Sequence, residues 1–148
     1  VTVAPEWHNF QNFAKWYEDN KPNYDDCHLD KDLKLIGNRV YSPEACTFVP
    51  IQVNLLFAGT KDGRDLPRGV HFCNNKNKYV VQAHVGEVTS SGEAKQSYFG
   101  AYATSDEAIS VYKDVKKAHC KDVAEKYREF LDDSVYYNLV NNALDFIK

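Results

Sequence analysis

The stretch that decides the fold reads Arg68-Gly69-Val70, then Lys78-Tyr79-Val80, then Tyr98-Phe99-Gly100-Ala101-Tyr102-Ala103-Thr104-Ser105-Asp106-Glu107-Ala108. Its order is typical of a turn, two short strands, a third strand and a capped helix. Thr104 or Ser105 can cap that helix, and acidic residues follow in its first turn. We therefore predict a three-stranded antiparallel sheet packed on one long helix.

Alternation along the second strand separates two faces of this sheet. The side chains expected to face the helix are Tyr79, Val81, Ala83 and Val85, and those expected on the outward face are Lys78, Val80, Gln82 and His84. Gly100 is expected to let the helix approach the sheet closely. The helix should carry a buried stripe of Ala108, Val111, Tyr112, Val115, Ala118, Val123, Tyr127 and Phe130.

The residues before the sheet predict a second group of elements. Residues 6–20 form a helix that ends at Lys21-Pro22-Asn23, and its aromatic stripe, which favours core packing, is Trp7, Phe10, Phe13, Trp16 and Tyr17. Gly37-Asn38 between two extended runs indicates a hairpin. Residues 46–49 are short and extended, and Pro50 suits the first turn of a helix over 51–57.

The predicted fold class is α+β, in three parts. The polar, glycine-containing segment 58–65 separates the first two parts. Residues 1–60 hold the N-terminal helix and a hairpin-helix half, and residues 61–130 hold the three-stranded sheet and its long helix. Residues 131–148 form a C-terminal helical extension that restarts at Asp132-Asp133-Ser134.

The composition is that of an ordinary globular protein, with 43% hydrophobic and 26% charged residues over 148 positions. Its apolar runs fall short of the ~20 residues that span a bilayer, and no secretory pattern opens the chain, so we expect a cytoplasmic protein without a membrane partner. Four cysteines without a CxxC pair favour free thiols. The chain lacks methionine even at its first position, which favours a removed initiator or a fragment of a longer protein. It also lacks a nucleophile elbow, a P-loop and a dinucleotide-binding glycine pattern.

The charge distribution favours the sheet as a nucleic-acid contact. The net charge of −3 opposes phosphate binding, because phosphate attraction dominates the affinity of such proteins. Residues 61–100, however, contain six lysines and arginines against four acids, a net charge of +2, whereas the segments on either side are negative. We therefore expect modest, salt-sensitive affinity for DNA.

The residues of the sheet and its capped helix resemble the DNA-binding domain of the plant ethylene-response-factor family, which also occurs in phage nucleases. The resemblance implies that the open sheet face lies in a groove of double-stranded DNA. Arg68 is expected to contact a phosphate or a guanine edge, and the two arginines that usually follow it fall on His71 and Cys73. Gln82, which can bond adenine twice, and His84 face outward, and Tyr98 replaces the usual tryptophan. The candidate phosphate contacts are Lys76, Lys78, Lys95 and Ser97.

The first half resembles the ββα-metal, or HNH, endonucleases of phages. The residues that carry the resemblance are Leu29-Asp30-Lys31-Asp32-Leu33, Gly37-Asn38, Tyr41-Ser42-Pro43-Glu44, Cys46, Phe48-Val49-Pro50, Asn54 and the aromatic pattern from Trp7 to Trp16. The resemblance covers nearly the whole chain. It implies that Asp30 and Asn54 hold one Mg²⁺ or Mn²⁺ against the scissile phosphate while a neighbouring histidine deprotonates water.

The chain departs from that family at the general base. Lys31 stands where the base is expected, and a lysine is protonated at neutral pH and cannot take a proton from water. Lys31 is therefore expected to contact phosphate or to stabilise transition-state charge. His28 shares a strand face with Asp30 and is the substitute base. Each residue also has an ordinary structural alternative: Asp30 and Asp32 as solvent-facing acids at the end of a strand, Asn54 as an exposed helix residue, and His28 as a surface or core histidine.

Three functions follow from these observations. The first is a metal-dependent DNA endonuclease of phage type, a homing or nicking hydrolase whose sheet chooses the site, acting in the host-cell cytoplasm. The second is a catalytically inactive DNA-binding protein on the same scaffold, with Lys31 marking loss of the base. The third is a phage protein-interaction module that acts on a host protein, which the acidic net charge and the tyrosine-rich C-terminal part favour. The sequence leaves the oligomeric state, the target site and the choice between nicking and double-strand cleavage open.

Overall fold

This computed structural model describes residues 1–57, 64–88 and 94–147, apart from the side chains of residues 87, 88 and 94. The chain forms two compact units, each built from two separate segments. The hairpin unit comprises Val1–Ala58 and Val123–Asn142, and the sheet unit comprises Gly59–Asp122 and Ala143–Lys148. These bounds differ from the predicted division after residues 60 and 130, because the C-terminal segment is shared between the units.

The hairpin unit opens with strand β1 (Thr2–Val3), a 3₁₀ turn (Pro5–His8) and helix α1 (Phe10–Asn20). The Asn9 side chain accepts a hydrogen bond of 3.0 Å from the backbone N–H of Gln11 and caps α1. Trp7 is buried, with ring centroids 5.1 Å from Phe13 and 4.9 Å from Trp16. Phe10 was wrongly placed in the core stripe: it is 69% exposed, because the cap at Asn9 breaks the helical register between Trp7 and Phe10.

An antiparallel pair of strands followed by a short helix forms the centre of this unit. Strand β2 (Cys27–Asp30) pairs with β4 (Thr47–Pro50), and β4 leads into α2 (Ile51–Asn54) and a 3₁₀ turn (Leu55–Phe57). Val49 and Val53 are fully buried, so the strand and the helix share one core. The predicted hairpin-helix order and the helical region at 51–57 are therefore confirmed.

The predicted hairpin at Gly37-Asn38 is wrong. Gly37 has a φ of +80° and turns the chain, but strand β3 (Val40–Tyr41) then pairs in parallel with β1 rather than with β2. The Asn38 side chain donates to the carbonyls of Lys31 and Val40, each at 2.7 Å. These hydrogen bonds close a loop at the turn, and the strand that pairs with β2 therefore begins only at Thr47.

The last helix, α4 (Asp133–Asn141), also belongs to the hairpin unit. Asp132 caps it by accepting a bond of 2.9 Å from the N–H of Ser134, as the restart at Asp132-Asp133-Ser134 predicts. Val135 and Leu139, one turn apart, are fully buried. The helix therefore packs its apolar side into this unit's core.

The sheet unit has the predicted three strands and long helix. Strands β5 (Val70–Cys73), β6 (Lys78–Val88) and β7 (Ala94–Tyr102) are antiparallel in that order, and α3 (Ser105–Lys126) follows. The Thr104 hydroxyl accepts a bond of 3.3 Å from the N–H of Glu107, which confirms the predicted cap. The core cluster of the unit is Val70, Val81, Ala108 and Tyr112, with Tyr79, Phe99 and Tyr102 packed against it.

Close approach of sheet to helix depends on Gly69 rather than on Gly100. A Cβ atom at Gly69 would lie 2.5 Å from both the Tyr112 ring and the Gln82 carbonyl oxygen. Gly100 instead has a φ of +113°, and a Cβ atom there would meet the Tyr102 hydroxyl at 2.7 Å. Its role is conformational, because β7 carries an extra residue between the pairs Val80–Ala101 and Gln82–Tyr98.

The predicted stripe of α3 is wrong at Ala118 and at Phe130: the helix ends at Lys126, and Phe130 beyond it is 39% exposed. Ala118 is exposed, whereas Cys120 is fully buried together with Ala108 and Ala124. Because an α-helix has 3.6 residues per turn, the buried positions shift around the helix over more than four turns, and a pattern of apolar residues alone misses Cys120. Within the described ranges, no helix combines the length and the apolar character needed to cross a bilayer.

The four cysteines, all free as predicted, should differ sharply in reactivity. Burial raises the pKa of Cys120 to about 11 and also raises the pKa of Cys46, whereas Cys27 and Cys73 are half-buried. We expect iodoacetamide at pH 8 to alkylate Cys120 on the order of 100-fold more slowly than Cys73, because the thiolate is the nucleophile.

Peptide mass spectrometry after timed alkylation measures these rates residue by residue. In denaturant all four cysteines should react at similar rates, which provides the control. Rapid native labelling of Cys46 or Cys120 would contradict the packing of the hairpin unit or of the sheet unit, respectively.

Candidate functional site

The hairpin unit brings His28 and Asn54 into contact. His28 lies on β2 opposite Val49 of β4, and Asn54 is the last residue of α2. The buried Val53 and Leu56 hold this helical segment on the strands. The Asn54 side-chain nitrogen Nδ2 lies 3.0 Å from His28 Nδ1, across 26 residues of sequence. His28 is an exposed surface residue, as its ordinary alternative has it, and Asn54 is half-buried, but the two side chains contact each other.

This contact links the chemistry of the two side chains. With Asn54 Nδ2 donating, His28 Nδ1 is the acceptor, so the neutral ring carries its proton on Nε2. The Asn54 oxygen Oδ1 then faces away from His28 and is available to another partner. A half-turn of the amide reverses both properties: Oδ1 accepts from Nδ1–H, and Nε2 becomes a base. In the first orientation Oδ1 is left wholly to another ligand and Nε2 carries a proton, whereas in the turned orientation one lone pair of Oδ1 is used by His28 Nδ1–H.

Asp30 lies two residues beyond His28 on β2, on the same face by strand alternation. Its Oδ1 atom accepts hydrogen bonds from the backbone N–H groups of Asp32 at 2.8 Å and Leu33 at 2.7 Å. Burial raises the pKa of Asp30, and the negative charge of Asp32 adds to this effect, while the two backbone hydrogen bonds oppose it. Asp30 is therefore half-buried at the start of the loop rather than solvent-facing at a free strand end.

Lys31 is drawn into the loop. Its Nζ atom lies 3.2 Å from Asp32 Oδ2 and 5.6 Å from the centroid of the Tyr41 ring. The Lys31 side chain is only 17% exposed. A carboxylate and a ring face thus hold the ammonium group within the loop.

The donor set at this site suits a hard divalent cation. Asp30 offers its second carboxylate oxygen, and Asn54 offers Oδ1 in the orientation described above. Mg²⁺ keeps several waters and needs only one or two protein oxygens, so two such residues suffice. Clusters of three or more His, Cys, Asp or Glu side chains that could bind a metal are absent from the part of the chain that the structure describes.

The outward face of the sheet carries most of the predicted DNA contacts. Gln82 pairs with Tyr98, and His84 pairs with Gln96, in the regular segment between two bulges. Lys76 reaches from the β5–β6 turn to Tyr98, with Nζ 4.8 Å from the ring centroid and 3.5 Å from the hydroxyl. Lys78 is exposed at the start of β6, whereas Val80 on the same face is only 4% exposed.

Three predicted DNA contacts lie elsewhere. Burial lowers the pKa of Lys116, and the positive charge of Arg68 lowers it further. Burial raises the pKa of Tyr112, and the Arg68 charge opposes that rise. Arg68 is therefore close to α3. Ser97 pairs with Ala83, on the helix-facing side of the sheet, and Lys95 shares that side by alternation. The sequence-based set thus divides between the two faces of the sheet.

Gln96 is the residue that the sequence reasoning missed. It is exposed and lies opposite His84 on the outward face. The outward face was predicted from alternation along the second strand, and the third strand was not followed back from Tyr98. Alternation from Tyr98 would have placed Gln96 on the same face.

Comparisons of the chain with protein-family models, with curated proteins and with solved structures found no match. The likeness to phage HNH endonucleases and to ethylene-response factors is thus a prediction from the quoted motifs.

The two roles of Asp30, its charge and its loop cap, can be separated by substitution. Asp30→Ala removes the acceptor for two backbone N–H groups and should cost about 1–3 kcal/mol of unfolding free energy. Asp30→Asn keeps an acceptor oxygen and should retain the fold. Urea denaturation followed by circular dichroism measures both variants against the wild type.

The same variants should show a defined pH dependence. Because burial raises the pKa of Asp30, the folded state holds this proton more tightly, and the group costs stability as pH rises from its ordinary value of 3.8 through the folded value. The stability of Asp30→Asn relative to the wild type should therefore increase over that window and then level off. A relative stability that falls with rising pH would mean that the two N–H bonds outweigh burial.

Proposed function

We propose that the chain is a metal-dependent DNA endonuclease of phage HNH type that hydrolyses phosphodiester bonds with Mg²⁺ or Mn²⁺ in the cytoplasm of the host cell. The observation that carries the proposal is the 3.0 Å contact between His28 and Asn54, with Asp30 two residues beyond His28 on β2. A β-β-α arrangement that brings an amide from 26 residues away onto an imidazole, with a carboxylate on the same strand, is suited to phosphate chemistry. Packing alone does not require these three polar groups on one face.

Each side chain has a separate task in this proposal. Asp30 and Asn54 Oδ1 would hold the divalent ion, which when bound supplies charge stabilisation to the phosphate oxygens and the leaving oxygen. In the orientation that leaves Oδ1 to the ion, His28 Nε2–H donates a hydrogen bond to a phosphate oxygen. Lys31 lies at the loop that starts after Asp30, and its ammonium adds positive charge beside the scissile phosphate.

The sheet unit would choose the DNA site. Lys76 and Lys78 flank the polar side chains of the outward face, so phosphate contacts surround the groups that can reach base edges. Arg68, near α3, is a candidate for a phosphate contact at the rim of the sheet. The oligomeric state and a host protein partner stay open predictions.

A second function is favoured by the loop cap. Asp30 Oδ1 already serves two backbone N–H groups, and Lys31 is paired with Asp32. Both residues thus have structural roles that would persist without catalysis. The alternative is a DNA-binding protein that keeps the scaffold and has lost hydrolysis.

A cleavage assay separates the two functions. Supercoiled plasmid incubated with the protein and Mg²⁺ or Mn²⁺ should be nicked or linearised, and Asp30→Asn should reduce the rate about 100-fold or more because the charge at the ion is lost. Asn54→Ala should reduce it about 10- to 100-fold. The matched control is Asp19→Asn, an exposed carboxylate paired with Lys15, which should cleave like the wild type.

Substitutions at His28 identify its task in the same assay. His28→Gln keeps an N–H donor but has no base, and it should retain more activity than His28→Ala. Equal loss in both variants would make His28 the base, with the Asn54 amide turned. Intact plasmid with wild type and all variants over a range of both metals would remove the catalytic proposal and leave the DNA-binding alternative.

The DNA-binding part predicts a salt dependence. Mobility-shift affinities should fall as salt rises, and Lys76→Ala or Lys78→Ala should each lower the slope of log affinity against log salt by about 1, the loss of one phosphate contact. Lys113→Ala, an exposed lysine on α3, is the control and should leave the slope unchanged. Absence of a shift at low salt would contradict DNA binding by either function.

A further inference from the structure

The outward face of the sheet presents two glutamines on neighbouring strands. Gln82 of β6 pairs with Tyr98, and Gln96 of β7 pairs with His84, so the two glutamines are diagonal neighbours on one face. The three consecutive pairs from Gln82–Tyr98 to His84–Gln96 are regular, and register shifts interrupt the ladder on either side of them. The segment is therefore a short, regular platform bounded on each side by a shift in register.

The chemistry of this platform favours adenine over guanine. A glutamine amide donates and accepts in one plane, which matches the N7 acceptor and N6 donor of adenine in the major groove, whereas guanine is read chiefly by arginine or lysine. Among the described residues on the outward face of the sheet there is no arginine, and the two lysines there, Lys76 and Lys78, lie at its edge, where β6 begins. Arg68, the arginine closest in sequence to β5, lies near α3.

Tyr98 adds a contact that suits the partner base. Its ring is 53% exposed and lies opposite Gln82, so an amide and an apolar ring surface stand side by side. An A·T pair presents the adenine N7 and N6 groups beside the thymine methyl group in the same groove. Lys76, held at the Tyr98 ring, and the exposed Lys78 supply positive charge at the edge of this surface for the flanking phosphates.

We infer that the sheet reads A·T base pairs in the major groove, with Gln82 and Gln96 on adenine and Tyr98 against the thymine methyl. This inference rests on the DNA-binding part of the proposed function. It makes the substrate duplex DNA with an A·T core of two or more base pairs. Gln82, Gln96 and Tyr98 determine specificity in it, and the lysines contribute affinity without sequence preference.

The test begins with selection of sites from a random duplex pool by the full chain with Ca²⁺ in place of Mg²⁺, followed by anisotropy titrations on the selected site. Replacing one adenine at a time by 7-deazaadenine removes the N7 acceptor and leaves base pairing and the minor groove unchanged. Affinity should fall about 5- to 150-fold at the contacted positions. Replacing thymine by deoxyuracil removes only the methyl group and should give a smaller loss.

Variants assign the contacts. Gln82→Ala and Gln96→Ala should each lose discrimination at one base position, where the adenine and the 7-deazaadenine duplexes should then bind with equal affinity. Tyr98→Ala should lose the response to the thymine methyl. Gln11→Ala, an exposed glutamine on α1, is the matched control and should keep full discrimination. Lys78→Ala should weaken all duplexes alike and keep the preference.

The outcomes separate this inference from the proposed function. Selection of G·C-rich sites, or affinity that does not respond to 7-deazaadenine at any position, overturns A·T reading alone. Discrimination that survives in both glutamine variants also overturns it. Failure to bind any duplex at low salt overturns DNA binding and A·T reading together, whereas A·T discrimination without cleavage removes only the nuclease activity.

Discussion

The connection between β2 and β4 has to satisfy the hydrogen-bonding groups of its own backbone, and the rest of the hairpin unit depends on how it does so. It spans residues 31–46, buries Leu33, Ala45 and Cys46, and has only the two-residue strand β3 for regular pairing. Backbone groups in such a buried loop need side-chain partners. Asp30 accepts from two N–H groups, Asn38 donates to the Lys31 and Val40 carbonyls, and Asn138 of α4 donates to the Leu33 and Lys34 carbonyls.

This constraint explains why the proposed catalytic carboxylate is also a structural one. The two N–H groups that Asp30 Oδ1 accepts fix the orientation of the carboxylate, so its position is set before any ligand arrives. Desolvation raises the pKa of Asp30, and the hydrogen bonds limit that rise. A carboxylate fixed in this way suits a cation, because it is already oriented and partly stripped of water. The contact between His28 and Asn54 extends the same fixed geometry to the next strand position.

Structural features formed by residues close in sequence were predictable, whereas features that depend on which distant segments pair with each other were not. Thr104 and Asp132 cap their helices as expected, because a cap involves residues within one turn. The Gly37-Asn38 pair marks a turn correctly, yet a turn does not specify which strand the chain will meet next. Gly100 and the extra residue in β7 change the register in a way that strict alternation cannot anticipate.

The candidate site follows the same division. The motif order placed His28, Asp30 and Asn54 in one region, and their strand and helix positions are as expected from that order. The bond between His28 and Asn54 depends on the packing of α2, with its buried Val53, against the β2–β4 pair, which spacing does not reveal. On the sheet, the cross-strand register was needed to separate Arg68, Lys95 and Ser97 from Gln82 and Tyr98. The same register also places Gln96 on the outward face.

The interleaving of the two units along the chain bears on the order in which they form during synthesis. Asn138 donates to the Leu33 carbonyl across 105 residues, and Val135 and Leu139, near Asn138 in α4, are fully buried. A ribosome must therefore release the chain as far as α4 before the segment after Asp30 gains its last hydrogen bonds. Loop closure over such a separation is slow, so the loop after Asp30 should be among the last features to mature. If the proposed function holds, a site bordered by that loop would be completed only after the sheet proposed to read DNA has been made.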